Sequence, residues 1–104
     1  MARPGRGDAI GEELRRGNAV LVSLRVVYSA WRSPDGVVDA EPGRKTPASH
    51  AVLAVGGEQA GRVLIKNSWG PGWGMSGYGS VTRRYLESYG LRMHVVERVG
   101  YAAA

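Results

Sequence analysis

A chain of 104 residues with 43% apolar content accommodates one domain or part of one, with a modest core. It contains no cysteine, which excludes disulfides, thiolate metal sites and any thiol nucleophile encoded in the chain itself. The formal net charge of +5 comes from arginines spread singly or in pairs, with no basic run and no interleaving of basic and aromatic residues, a pattern that argues against nucleic acid as the main partner. Residues 1–7, rich in Arg, Gly and Pro, read as a flexible lead-in; no apolar segment follows their charge, so no secretory signal is read there. Asp8 is placed to cap a short helix over 8–17: Ile10 and Leu14 share one face, Glu12 and Glu13 lie early, Arg15 and Arg16 late, and Gly17 stops it. Over 19–27, Val20, Val22, Leu24 and Val26 alternate with polar Ser23 and Arg25, predicting a strand with one buried face, to which Leu21 is the exception. Residues 28–49 carry Pro34, Asp35-Gly36, Pro42-Gly43 and Pro47 and read as loop, with a short extended piece at 36–40.

From His50 the pattern tightens. Two largely apolar runs, 51–55 and 62–67, flank the glycine-bearing segment 56–61 and predict a hairpin. A glycine- and tryptophan-rich stretch covers 69–79, further strands are expected at about 78–83 and 91–99, and 100–104 form a tail. No apolar run approaches the ~20 residues of a membrane span, so neither membrane insertion nor a membrane partner is expected and a cytoplasmic location is the default. One helix and four or five antiparallel strands make the class α+β, mostly β.

If Glu58-Gln59 form the hairpin tip, facing positions sum to 117 and His50 faces Asn67. Directly opposed residues of an antiparallel pair project to one face, with Cβ atoms about 4.5–5.5 Å apart. Val52 and Ile65 follow on that face, then Ala54 and Val63. An amide oxygen accepting from one ring nitrogen would fix the tautomer of the imidazole and leave its other nitrogen to serve a nucleophile. On spacing alone, a His–Asn pair at a strand end is more often two polar groups that merely satisfy each other, and a one-residue bulge would change the register. Spacing alone does not decide between these.

The run His50-Ala51-Val52-Leu53-Ala54-Val55-Gly56, followed by Ile65-Lys66-Asn67-Ser68-Trp69-Gly70-Pro71-Gly72-Trp73-Gly74 and Gly77-Tyr78, resembles the His and Asn signatures of the papain-like cysteine peptidases. The helix, glycine and Val-rich strand over 12–26 resemble the segment that enters the β-rich, right-hand C-terminal domain of that family, so the resemblance spans 8–98. It implies an α+β, mostly antiparallel, curved or barrel-like sheet with one short N-terminal helix, organised as lead-in 1–7, half-domain 8–99 and tail 100–104. It implies His50 as the general base paired with a catalytic thiolate, Asn67 as the group orienting it, and Trp69 lying over their contact. Trp73 would flank the primed side of the substrate cleft, and Ala51 would help wall the pocket for the substrate's second residue. Gly70, Gly72, Gly74 and Gly77 would serve backbone turns. No cofactor and no metal is implied.

The departures from the family are equally definite. The cysteine, the left-hand domain that carries it and the glutamine that donates to the oxyanion are absent. Gln59, at the expected hairpin tip, is too far from His50 to substitute; Ser49 stands where the family often has Asp or Asn; Ser68 and Ser76 lie on the wrong side to act as nucleophile. His94, on the strand side shared with Arg92 and Val96, reads as structural or exposed. The expectation is the His/Asn-bearing half of a cysteine peptidase, inactive alone and acting on peptide or protein substrate only when a cysteine-bearing segment completes it. The alternative is a catalytically dead, peptidase-derived interaction module or a truncated gene product. Removal of a partner domain is also expected to uncover apolar surface, with Val20, Val22, Leu24, Val52 and Ile65 as candidates, and so to favour self-association or a protein partner.

Overall fold

The computed structural model describes residues 6–59 and 61–97. In chain order the elements are α1 (Arg6–Arg15), β1 (Ala19–Arg25), α2 (Tyr28–Trp31), β2 (Val37–Val38), β3 (Ser49–Gln59), β4 (Arg62–Lys66), β5 (Tyr78–Thr82), α3 (Arg83–Tyr89) and β6 (Gly90–Val96). The strands form one six-stranded sheet in the order β2-β5-β4-β3-β1-β6. Every pairing is antiparallel except the short parallel one between β2 and β5. The class is therefore the expected α+β with a mostly antiparallel sheet; the sheet is open, with β2 and β6 as its edges. Of the expected lead-in, residues 1–5 lie outside the described residues, as do the tail 100–104 and the last two positions of the strand expected at 91–99. Among the described residues, no helix is long and apolar enough to cross a membrane.

The alternation in β1 does what its side chains require. Val20, Val22 and Leu24 enter the core, while Leu21 and Arg25 face out. The same inward face collects Val52 and Ala54 of β3, Val63 and Ile65 of β4 and Val81 of β5, and it packs with Ile10, Trp31, Tyr85 and Leu86 from the three helices. Burying each large aliphatic side chain stabilises the fold by about 1.5–3 kcal/mol. This corrects the expected uncovered face: Val20, Val22, Leu24, Val52 and Ile65 are all exposed by 2% or less, because the helices already cover them. On the other side of the sheet, apolar surface is left open at Leu21, Val55, Leu64 and Tyr78, each 37–40% exposed.

Three further expectations change. Asp8 does not cap α1, which begins two residues earlier; it lies in the first turn, where a carboxylate suits the helix dipole, and pairs with Arg83 of α3. Two helices join the one expected. The single turn of α2 lies within the supposed loop, and α3 separates β5 from β6, with the Thr82 hydroxyl accepting from the Tyr85 N–H as its cap. The hairpin register also differs. Gln59 pairs with Arg62, Gly56 with Leu64, Ala54 with Ile65 and Leu53 with Lys66, so β3 carries two extra residues at two irregularities. Gly56 permits the first of these, since a Cβ there would lie 2.6 Å from the Leu64 side chain.

The loop after β2 is tied down by charge. Asp39 accepts from Arg84 Nε at 2.7 Å and Nη2 at 2.9 Å, and from the Thr82 hydroxyl at 2.6 Å. Arg84, and after it Thr82, hold the Asp39 carboxyl below its ordinary value of 3.8. A depressed folded-state pKa contributes stability above the ordinary value and loses it as pH falls through the folded one. Asp39→Asn should therefore flatten the acid limb of the unfolding midpoint against pH below about 4, at a cost under about 1 kcal/mol at neutrality because the pair is solvent-accessible. An unchanged acid limb in circular-dichroism melts would show that this pair does not contribute.

Candidate active site

His50 is the second residue of β3 and lies opposite Leu24 of β1; Asn67 follows the last residue of β4. The β3–β4 ladder ends at Leu53 and Lys66, so the two side chains meet beyond it and not across a direct pair. They still share a face because the register moved by two positions, and side-chain direction in a strand has period two. His50 Nε2 lies 2.7 Å from Asn67 Oδ1.

A neighbouring backbone group fixes the chemistry of that contact. The Ser68 N–H donates to the same Oδ1 at 2.8 Å. A flipped amide would set its NH2 against that N–H, so the oxygen must face the imidazole. An oxygen can only accept; His50 Nε2 therefore carries the hydrogen. In the neutral ring this leaves Nδ1 with a lone pair, available as a base. Asn67 is 5% exposed, and its backbone N–H donates to Gly77 O at 3.0 Å, which anchors it to the glycine-rich turn. Its Nδ2 is buried with no partner among the described residues.

Aromatic rings enclose the pair. Trp69 stacks on His50 with centroids 4.8 Å apart and planes at 23°. It is 45% exposed, so it covers the imidazole as a lid whose outer face is open. Trp31, buried at the end of α2, approaches His50 edge-on at 5.7 Å and 82°. Trp73 packs on Trp31 at 5.8 Å and on Trp69 at 6.1 Å, and its indole N–H donates to Trp31 O at 2.7 Å. Apolar walls of this kind lower the local dielectric and strengthen the His–Asn hydrogen bond.

Of the residues singled out from sequence, His50, Asn67, Trp69 and Trp73 thus form one cluster. Ala51 is not part of it: as the next residue along β3 it points to the outer sheet face. There it borders a shallow depression of about 270 Å³ with Leu21, Leu53, Lys66 and Ser68. His94 is exposed on that same face, opposite Leu21. Two participants were not anticipated. Trp31 fell in a segment read as loop, and Tyr85 in a gap between two strands. The traces they leave are the adjacent Ala30-Trp31 pair after the β1 strand and the Thr82-x-x-Tyr85 cap with Leu86 and Tyr89 following at helical spacing.

The comparisons with known proteins agree with one another. The profile described as papain family cysteine protease matches residues 3–99. Bovine pro-cathepsin H is 38% identical over 81 residues, covering 73% of this chain but 24% of its own length. Papaya proteinase 4 from Carica papaya is 46% identical over 73 residues, with 64% and 20% coverage. Xylellain, a cysteine protease from Xylella fastidiosa, superposes with a TM-score of 0.67 at 24% identity, over 83% of this chain and 34% of that one. Digestive procathepsin L 3 of Tenebrio molitor gives 0.67 at 23% identity, over 91% and 33%. The chain therefore spans about a quarter or less of these two curated relatives and about a third of the two solved structures.

Proposed function

The chain belongs to the papain family of cysteine proteases, and from that premise we propose that it is the His/Asn-bearing, C-terminal half of such a peptidase, completed by a cysteine on another polypeptide segment. Residues 8–99 constitute this half-domain. The observation that carries the reading is the His50 Nε2–H to Asn67 Oδ1 bond with its fixed amide and stacked indole. In the completed enzyme, His50 Nδ1 takes the proton of the incoming thiol. The thiolate attacks the substrate carbonyl carbon, and the imidazolium returns its proton to the leaving amine nitrogen. Water, deprotonated by the same Nδ1, then cleaves the thioester. Asn67 keeps Nε2 occupied throughout, Trp69 keeps water from that bond, and Trp73 flanks the leaving-group side. Ala51, exposed beside its depression, walls the pocket for the substrate's second residue. Oxyanion donors come with the cysteine.

The open apolar positions on the outer sheet face, Leu21, Val55, Leu64 and Tyr78, suit contact with such a segment. The same surface supports the second reading, an inactive binding module derived from a peptidase, and one experiment separates the two. The purified chain should neither hydrolyse peptide substrates nor be labelled by a thiol-directed epoxide. Mixed with a separately produced cysteine-bearing half of a papain-family relative, it should gain both properties. Binding without activity would favour the module, and hydrolysis by the chain alone, free of any cysteine protein, would overturn both readings.

A further inference from the structure

The imidazole of His50 needs more than Asn67 to stay aimed. Its χ2 torsion is broad, and Trp69, open on its outer side, restrains only one face of the ring. The second restraint is Trp31, which meets the imidazole edge-on at 5.7 Å and also packs against Trp69 at 5.5 Å, so that it backs the indole stacked on the ring. Trp31 is in turn held at two points. Its carbonyl accepts from the Trp73 indole, and its own indole N–H donates to Tyr85 Oη at 3.0 Å.

The Tyr85 hydroxyl uses all of its capacity in this region. It donates to Arg25 O at 2.6 Å and accepts from the Val27 N–H and from Trp31, each at 3.0 Å. Arg25 pairs with Ser49, the residue before His50, so the same hydroxyl also fixes the strand end beside the imidazole. The phenol itself is fully buried and is presented by α3, whose first turn is capped by Thr82.

We propose that Tyr85 is a positioning residue for the His50–Asn67 pair, acting from α3 through the indole of Trp31. The proposal rests on the reading of His50 as the base, but its test needs no peptidase activity. The measurement is ring-nitrogen NMR on the chain alone, following the solvent-exchange rate of the His50 Nε2–H and the ratio of the two neutral tautomers. In the unaltered chain that hydrogen should exchange slowly, with the Nε2–H tautomer dominant. Tyr85→Phe should speed the exchange at least tenfold and raise the share of the Nδ1–H form. Trp31→Phe keeps an aromatic ring in the core but lacks the indole donor, and it should do the same; it decides the matter if Tyr85→Phe fails to fold.

Tyr89→Phe is the control. Its hydroxyl bonds Glu41 O and the Arg44 N–H, and its ring packs on Tyr85 at 4.7 Å, yet no hydrogen bond links it to Trp31. It should leave His50 unchanged. Folded Tyr85→Phe or Trp31→Phe with unaltered exchange would overturn the proposal, as would an equal acceleration in Tyr89→Phe, which would mark general loosening. Failure of the peptidase reading would show instead as a reconstituted complex without activity, with these ring signals as described.

Discussion

His50→Ala is expected to lower kcat/KM of the reconstituted complex by about 10³-fold or more. A positioned general acid–base contributes roughly 10²–10⁴-fold, and here one imidazole serves the thiol, the leaving amine and the hydrolytic water. Asn67→Ala should cost less, on the order of 10–100-fold, because the ring remains while its Nε2–H loses the acceptor that selects the tautomer. Exposure should favour rescue: His50 is only partly buried, so added imidazole should restore some activity to His50→Ala and none to Asn67→Ala. The readout is steady-state hydrolysis of a fluorogenic peptide across pH, with complex formation checked by sedimentation. A complex whose rate is indifferent to His50→Ala would remove the base assigned here.

Gly79→Ala should unfold the domain more readily than any exposed change, by about 3 kcal/mol. Gly79 is a buried residue of β5, paired with Ile65 of β4. A Cβ there would lie 2.5 Å from Gly36 O and 2.6 Å from the Trp73 ring. Neither neighbour can yield cheaply. Gly36 O accepts from the Ser80 N–H at 2.9 Å, and Trp73 is held by its bond to Trp31 O. For a domain of this size the loss corresponds to a fall of roughly 12 °C or more in Tm. Gly72→Ala, where an added methyl meets no described atom within 4 Å, is the paired comparison and should melt close to the unaltered chain. A Gly79→Ala shift below about 4 °C would mean that loop and indole move aside freely.

Much of this was legible in the residues because it depended on parity. The alternation of Val20, Val22 and Leu24 needs only a period of two, and so does the shared face of His50 and Asn67, which survived a register error because the error was even. The motif around Trp69 likewise carries the family resemblance in its residues alone. What could not be read depended on tertiary context. Four residues of α2 are too few to show a helical period, and the outline of α3 was masked by the strand-like stretches around it. That the helices already cover the face of Val20 and Val22 was also unreadable, since it depends on Ile10, Trp31, Tyr85 and Leu86 being brought onto that face by the fold. Trp31 and Tyr85 meet through a hydrogen bond between residues far apart in the chain, for which local pattern holds no signal.

The placement of β1 between β3 and β6 has a bearing on how the chain comes to be folded at all. Val20 pairs with Ala54 on one side and with Val95 on the other, so β1 is bordered by β6, the strand farthest from it in sequence among the described residues. Closing that second border spans most of the chain, and its entropy must be met before the contact gives anything back. During synthesis, β1 can recruit β3 early, but its other edge stays open until β6 has left the ribosome. For that interval a run of valine and leucine presents unpaired amide and carbonyl groups, the arrangement that invites a neighbouring nascent chain to add itself as a strand.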